Sequence, residues 1–227
     1  DDSRSAVDLS PEFAASLQAR GFLPRLARAA QYESGATLTA YKFYFLDRSN
    51  NELSNLDLDS DVTLSMPLGR SGGVTISAAY SNYDYAVYYY NGVEDVKIGG
   101  TVDPAGGTVS VVTRKSGVFK VKRVLRATEF AIIQTVPRKI FTPNGDGIWD
   151  EFHIIYENPE GLTITGARVY DLGGREVADL KAGGAYNSES SLVWDGKRKG
   201  GGKAEAGIYI YQFKAGDKYY NGTVVLA

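Results

Sequence analysis

The sequence lacks cysteine and contains a single histidine, His153, among its 227 residues. Without cysteine the chain can form no disulfide, thiol nucleophile, zinc ribbon or iron–sulfur cluster. A single histidine also excludes a three-histidine metal site and a relay of histidines that passes protons. Because His153 lies between Phe152 and Ile154 at the start of a strand-like segment, we expect it to have a structural role.

Long apolar runs and an excess of positive charge are missing as well. No apolar run approaches the roughly 18 residues that a membrane-spanning helix needs, so no transmembrane segment is expected. The chain has 25 Lys and Arg against 27 Asp and Glu, which gives a net charge of -2. A protein that neutralises phosphates along a nucleic acid is clearly basic, and no nucleic-acid partner is therefore expected.

Tyrosine and glycine are abundant instead, with 16 and 26 residues. Aromatic and β-branched residues favour pleated strands, and glycine favours the turns between them. A hydrophobic share of 43% and a charged share of 23% are typical of a globular protein. The composition predicts an all-β fold, and the length suits one large domain or two small ones.

The first 33 residues predict a short helical N-terminal segment (1–33). Ser10-Pro11-Glu12 is typical of a helix start, since it combines a hydroxyl N-cap, a proline at the first helical position and an acid in the first turn. Gly21 suits the end of this helix. A second helical stretch is expected over residues 24–31.

Two tandem antiparallel β-sandwich domains are expected after this segment. Residues 34–136 contain short, regularly spaced strand patterns, among them residues 37–46 and the alternating residues 61–66. Residues 137–227 contain about seven strand patterns, which is typical of an immunoglobulin-like sandwich. The boundary between the two domains is expected near residues 134–138.

Two glycine-rich motifs resemble catalytic or phosphate-binding loops only in part. Residues 69–73 match the G-x-S-x-G pattern of a hydrolase, but strand-like residues follow where that motif needs a helix. Residues 196–203 are basic and glycine-rich, yet they lack the fixed frame of a phosphate-binding loop. We interpret both as turns, the second with weak binding to an anionic surface as the alternative. No catalytic residue is predicted, and the chain is not expected to be an enzyme.

Oxygen-bearing side chains recur between residues 142 and 150, at Thr142, Asn144, Asp146 and Asp150. Calcium-binding loops use such spacing, because alternate side chains point at the cation and a glycine, here Gly147, permits the sharp turn. The alternative is a turn in which the same side chains bind backbone N–H groups and no ion is needed. Calcium at these four residues is one hypothesis, and no other cofactor is expected.

Residues 138–227 carry motifs that resemble a known family. Phe141-Thr142-Pro143-Asn144-Gly145-Asp146-Gly147, followed by Asp150 and Phe152, resembles the opening of the gliding-motility-associated C-terminal domain of exported bacterial proteins. Later motifs of that domain resemble Val169-Tyr170-Asp171-Leu172-Gly173-Gly174, Val193-Trp194-Asp195-Gly196 and Gly207-Ile208-Tyr209-Ile210-Tyr211. The span from Trp194 to Tyr211 is also similar to the immunoglobulin-like domain of the flagellar hook-cap protein.

The resemblance implies a β-sandwich at the end of a secreted or surface protein, which in some bacteria is a sorting signal for outer-membrane export. Residues 57–122 resemble, more weakly, the β-sandwich module that often precedes this domain. An extracellular or cell-surface location is therefore expected, and a start at Asp1-Asp2 instead of methionine fits removal of a leader. Neither resemblance implies a catalytic residue.

The tyrosine-rich segment after residue 79 predicts a partner-binding face. Tyrosine offers a large contact area with few rotatable bonds and a polar tip, which suits protein interfaces. Besides Tyr80, the predicted contact residues are Tyr83, Tyr85, Tyr88, Tyr89 and Tyr90. The alternative is that alternate tyrosines pack in the core.

Together these features predict a non-enzymatic structural or interaction protein of a bacterial cell-surface or secreted assembly, whose partners are other proteins of that assembly. A carbohydrate-binding module that takes a polysaccharide is an alternative, which three coplanar exposed aromatic rings on one sheet would favour. A flagellar hook-cap-type scaffold is a further alternative, against which the unfamiliar first half argues.

Overall fold

The computed structural model describes residues 4–33, 36–68, 83–183 and 190–227. Strands dominate these residues, and one short α-helix lies near the N-terminus, so the predicted all-β class is confirmed. The chain divides into two compact units, Asp1–Arg126 and Ala127–Ala227. Within the described residues, no helix is long and apolar enough to cross a membrane.

The described residues of the first unit form two sheets. Its elements are β1 (Ala6–Leu9), α1 (Pro11–Arg20), β2 (Leu23–Arg28), a 3-10 helix (Ala30–Tyr32), β3 (Thr37–Leu46), β4 (Glu52–Leu53), β5 (Asp57–Pro67), β6 (Tyr83–Tyr90), β7 (Asp95–Gly99), β8 (Thr101–Asp103), β9 (Thr108–Lys115) and β10 (Gly117–Leu125). One sheet has the order β1-β5-β9-β8, and the other has the order β2-β3-β10-β6-β7, with β4 paired to β3. Fully buried side chains such as Phe43, Met66 and Phe119 form the core of this unit.

Helix α1 begins and ends where the sequence predicts. The side chain of Ser10 accepts a hydrogen bond from the backbone N–H of Phe13 at 3.2 Å, and Pro11 takes the first helical position. Gly21 ends the helix with φ 77°, in the left-handed region that glycine adopts without steric cost. The capping pattern alone therefore located this element.

The second expected helical stretch, residues 24–31, is wrong. Strand β2 occupies most of it and pairs antiparallel with β3, with Arg25 opposite Tyr44 and Ala27 opposite Lys42. Only the turn at Ala30–Tyr32 is helical, of the 3-10 type. Pro24 is tolerated because β2 is an edge strand, where a missing N–H does not break a ladder.

The described residues of the second unit also form two sheets. Its strands are β11 (Ala131–Val136), β12 (Ile140–Phe141), β13 (Phe152–Glu157), β14 (Ile164–Asp171), β15 (Glu176–Asp179), β16 (Lys181–Ala182), β17 (Ser191–Trp194), β18 (Gly207–Ala215) and β19 (Lys218–Leu226). The sheet orders are β11-β13-β17-β16 and β12-β19-β18-β14-β15. The short pairing of β12 with β19 is parallel, unlike the antiparallel pairing that the sequence predicts throughout.

The first unit ends at Arg126, which is ten residues before the predicted end of the first sandwich at residue 136. Strand β11 falls within the first predicted domain, but it pairs with β13 of the second unit, with Ala131 opposite Glu157 and Val136 opposite His153. The compact second unit begins at Ala127. The apolar pattern of a single strand does not reveal which sheet it joins, so the sequence alone assigned β11 to the first domain.

The core of the second unit is built around Trp194. Its indole is 2% exposed, and its ring lies 5.2 Å from that of Phe141 and 4.8 Å from that of Tyr209, both edge-on. The indole N–H donates to the carbonyl of Lys197 at 2.8 Å. The buried aromatic core thereby fixes the start of the loop that follows β17.

Candidate interaction face and carboxy-terminal loops

The tyrosines of β6 lie on two sides of their sheet, because successive side chains of a strand point in opposite directions. Tyr89 is 6% exposed, and its ring lies 5.3 Å from that of Phe119 in the core. Its hydroxyl donates to the carbonyl of Ser116 at 3.4 Å. Tyr89 is therefore a core residue, and its prediction as a contact residue is wrong.

Tyr83 and Tyr85 alternate with Tyr88 and Tyr90 and lie at the opposite end of β6. Tyr83 is exposed, and the guanidinium of Arg123 lies 4.5 Å from the centre of its ring. Tyr85 is half-buried and stands opposite Arg123 in the ladder. Tyr83 and Tyr85 therefore do not share a surface with Tyr88 and Tyr90.

Tyr88 and Tyr90 lie on the outer side of the sheet formed by β2, β3, β10, β6 and β7. Tyr88 stands between Lys120 of β10 and Lys97 of β7, and Tyr90 stands opposite Asp95. The ring of Tyr32, from the 3-10 helix, lies 6.0 Å from that of Tyr90. We call this surface the tyrosine–lysine face; its residues are Tyr32, Tyr88, Tyr90, Asp95, Lys97, Lys120 and Lys122.

Two ammonium groups of this face share one carboxylate. Lys120 and Lys122 each place Nζ 2.7 Å from an oxygen of Asp95. The Nζ of Lys120 also lies 4.6 Å from the ring centre of Tyr90, and that of Lys122 lies 4.5 Å from the ring centre of Tyr88. The rings are thus covered on one side by cations, and the cations are held in place by rings and carboxylate together.

Partial burial and nearby charges together shift the pKa values of the ionisable groups of the face. Burial alone would raise the pKa of the Asp95 carboxyl, but hydrogen bonds from Lys120 and Lys122 outweigh it and lower the pKa. Burial lowers the pKa of Lys97, which the charge of Asp84 partly opposes. Burial, and then the charge of Asp95, raise the pKa of Tyr88. The face combines the partly exposed Lys120 and Lys122 with the carboxylate of Asp95 and the buried Lys97, which suits the recognition of an anion.

The loop of residues 142–150 uses its polar side chains as turn acceptors. The carboxylate of Asp150 accepts the N–H groups of Gly145 at 2.6 Å and Gly147 at 2.8 Å. Asn144 Oδ1 accepts the N–H of Asp146, and Asp146 Oδ1 accepts the N–H of Ile148. The loop therefore has the internal hydrogen bonds of the ion-free alternative.

The four predicted calcium ligands lie in this one loop, and calcium there stays a prediction. The N–H of Ile148, and then the amide of Asn144, lower the pKa of the exposed Asp146 carboxyl. In the described ranges, no group of three or more His, Cys, Asp or Glu side chains has an arrangement that could hold a metal ion. Thr142 closes the loop through its backbone N–H, which donates to the carbonyl of Trp149 at 2.9 Å.

The basic loop of residues 196–203 folds against its own domain. Lys199 places Nζ 2.6 Å from Glu176, and its backbone N–H donates to the carbonyl of Val177 on edge strand β15 at 2.8 Å. Arg198 binds Glu205 at 2.9 Å. A cleft of about 630 Å³ beside the loop is consequently lined by both signs of charge. The loop covers a sheet edge, and its cations Lys197, Arg198 and Lys199 form ion pairs within the second unit. Weak binding of the loop to an anionic surface stays a prediction.

The remaining predicted features divide between the core and the parts of the chain that are not described. His153 is buried, 2% exposed, with Nε2 3.3 Å from Glu151, in keeping with its expected structural role. The G-x-S-x-G motif at residues 69–73 and the predicted contact residue Tyr80 lie outside the described residues. Sequence reasoning missed Lys120, Lys122 and Asp95, although the alternation of β10 already put both lysines on one side of the strand.

Comparison with known proteins identifies the second unit. The family of CHU_C type IX secretion signal domains matches residues 135–226, and no curated protein matches the chain. The matched region includes the loop of residues 142–150, Trp194 and strand β19, so the resemblance to the gliding-motility-associated C-terminal domain is confirmed. The second unit therefore carries a type IX secretion signal domain, which indicates that the chain is an exported protein.

Proposed function

We propose that this chain is a non-enzymatic interaction protein of a bacterial cell-surface or secreted assembly. The second unit directs its export, and the first unit contacts a partner protein through the tyrosine–lysine face. The observation that carries the contact role is the group of half-buried tyrosines and lysines of β6 and β10, which lies beside Asp95 and the buried Lys97 of β7 on one side of a sheet.

The structure of the face supports protein contact better than carbohydrate binding. Sugars stack on open aromatic rings, but Lys120 covers Tyr90 and Lys122 covers Tyr88. The exposed tyrosine on β6, Tyr83, lies on the other side of the strand. A sheet face with partly buried tyrosines offers the rigid, amphipathic contact area that protein interfaces use.

The non-enzymatic part of the proposal rests on the chemistry of the side chains. The chain has no cysteine nucleophile, and its single histidine is buried beside Glu151. The carboxylate of Asp95 on the tyrosine–lysine face is paired with lysines, and that of Asp150 in the loop of residues 142–150 accepts hydrogen bonds within the turn. These arrangements stabilise structure and do not prepare an acid, a base or a nucleophile.

A cysteine-protection experiment tests the contact role. Because the chain has no native cysteine, maleimide can label only the cysteine that is introduced. Tyr90→Cys places a single thiol on the face, and Tyr219→Cys places a matched thiol on an exposed tyrosine of the second unit. Maleimide should label the Tyr90→Cys variant more slowly on cells that export the full chain than after purification, because on cells a bound partner covers the thiol. Tyr219→Cys should react equally in both settings. Equal labelling of Tyr90→Cys in both would contradict the contact role.

A further inference from the structure

The tyrosine–lysine face carries an excess of positive charge on a chain whose net charge is negative. Lys120 and Lys122 stand on β10 and Lys97 on β7, the two strands that flank β6, and Asp95 of β7 lies close to both lysines of β10. The ion pairs at the rim, Lys42 with Glu52 and Arg126 with Asp84, add no net charge. Since the whole chain has a net charge of -2, the positive charge is a local property of this surface.

The ammonium groups of the face are fixed before any ligand arrives. The side chains of Lys120, Lys122 and Asp95 are only 13%, 20% and 21% exposed, so their neighbours cover most of each side chain, and Oδ1 of Asp95 is itself buried. Each ammonium is also held over a tyrosine ring, an arrangement that is favourable by about 0.5–1 kcal/mol at exposed sites. An incoming carboxylate would therefore meet positioned charges and lose little side-chain entropy.

We propose that the face recognises an acidic surface of a partner protein, whose carboxylates bind Lys120 and Lys122. This inference rests on the proposed function and adds the chemistry of the partner. Lysine is depleted in the cores of ordinary interfaces, so two clustered lysines indicate recognition by charge complementarity. A protein fits better than an acidic polysaccharide, because a lysine covers one face of each of the rings of Tyr88 and Tyr90 and leaves less open ring for a sugar to stack on.

Replacing Asp95 should change the affinity for an acidic chain in the opposite direction to replacing the lysines. Its carboxylate competes with the ligand for the same two ammonium groups, and it reduces the positive charge of the face. Asp95→Asn should therefore strengthen binding of an acidic chain, whereas Lys120→Gln/Lys122→Gln should weaken it. A purely structural role for these residues would make both variants weaker or leave both unchanged.

The test measures binding of the full chain to poly-L-glutamate by calorimetry, with polygalacturonate as the acidic polysaccharide. We expect Lys120→Gln/Lys122→Gln to bind poly-L-glutamate about fivefold more weakly than the unaltered chain, and Asp95→Asn to bind it more tightly. Affinity should fall as salt rises from 0.01 to 1 M, where the screening length drops from about 30 Å to about 3 Å.

The control, Lys139→Gln/Lys203→Gln, removes the same charge from exposed positions of the second unit and should bind like the unaltered chain. Melting curves establish that each variant is folded.

Three results would overturn the inference. They are no binding of poly-L-glutamate, equal losses in the face variant and the control, or binding of polygalacturonate alone. The last result would instead assign an acidic polysaccharide to the face. If Tyr90→Cys is nevertheless protected on cells, the contact role stands and only the chemistry of the partner is wrong.

Discussion

At the scale of single residues, position within a strand or turn decides the role of each side chain. Tyr88 and Tyr89 are neighbours in sequence, yet Tyr89 packs on Phe119 in the core and Tyr88 lies under Lys122 on the outer face. In the second unit, Trp194 is a core residue because its strand position buries it. Asp150 stabilises a turn because its position lets its carboxylate accept hydrogen bonds from backbone N–H groups.

Trp194 should contribute more to the stability of the second unit than an exposed aromatic residue does. Trp194→Ala removes a fully buried indole and a hydrogen bond to Lys197, so we expect a loss of about 3–5 kcal/mol in the free energy of unfolding. Urea unfolding followed by the fluorescence of Trp149, the other tryptophan of the chain, measures this loss. Tyr219→Ala, at an exposed position, is the control. A loss below about 1 kcal/mol for Trp194→Ala would contradict the assigned core.

The loop of residues 142–150 should keep its structure without calcium. Because Asp146 accepts the N–H of Ile148, Asp146→Ala should lower the melting temperature of the second unit equally in millimolar calcium and in chelator. The unaltered chain should melt at the same temperature in both buffers. A bound ion would instead stabilise the native state by about 2.7 kcal/mol at a hundredfold excess over Kd, and a melting temperature raised by calcium would establish the ion site.

At the scale of elements, strand pairing brings together charges that are distant in sequence. Asp95 of β7 binds Lys120 and Lys122 of β10 although β6 lies between them. In the second unit, the basic loop after β17 reaches the edge strand β15 through the backbone of Lys199, which protects an edge that could otherwise pair with another chain.

Asp95 should make the stability of the first unit depend on pH in the acid range. Its pKa is lowered in the folded state, so its contribution is present above the unfolded value, about 3.9, and is lost as pH falls through the folded value. At pH 7 Asp95→Asn should unfold at lower urea than the unaltered chain, and the difference should shrink as pH falls below about 4. The comparison is followed by far-ultraviolet circular dichroism. A constant difference at every pH would show that the charge of Asp95 has no part in it.

Local signals predicted several elements well and others poorly. Helix α1 carries its cap in sequence, and β3 matches the predicted strand at residues 37–46. Strand β2 was missed because its apolar residues suit a helix as well as a strand, and pairing with β3 decided between them. The tyrosine–lysine face was found only in part, because Asp95 and Lys120 become neighbours through the register of three strands.

At the scale of the whole molecule, the chain combines an export domain with a β-sheet unit for which we propose a contact role. Residues 135–226 match the type IX secretion signal domain family, and the first unit, Asp1–Arg126, holds the tyrosine–lysine face. The resemblance identified the export domain from short motifs, since these motifs sit at turns and core positions that the fold requires. The tyrosine–lysine face has no such motif, and the partner that we propose for it rests on its charge.

Cell fractionation of a bacterium with a type IX secretion system tests the central claim most directly. The full chain is compared with a chain that ends at Arg126, both expressed behind the same leader. Export by the second unit predicts that the full chain reaches the cell surface or the medium, whereas the shortened chain stays in the periplasm with its first unit folded. Equal amounts of both chains outside the cell would contradict the account.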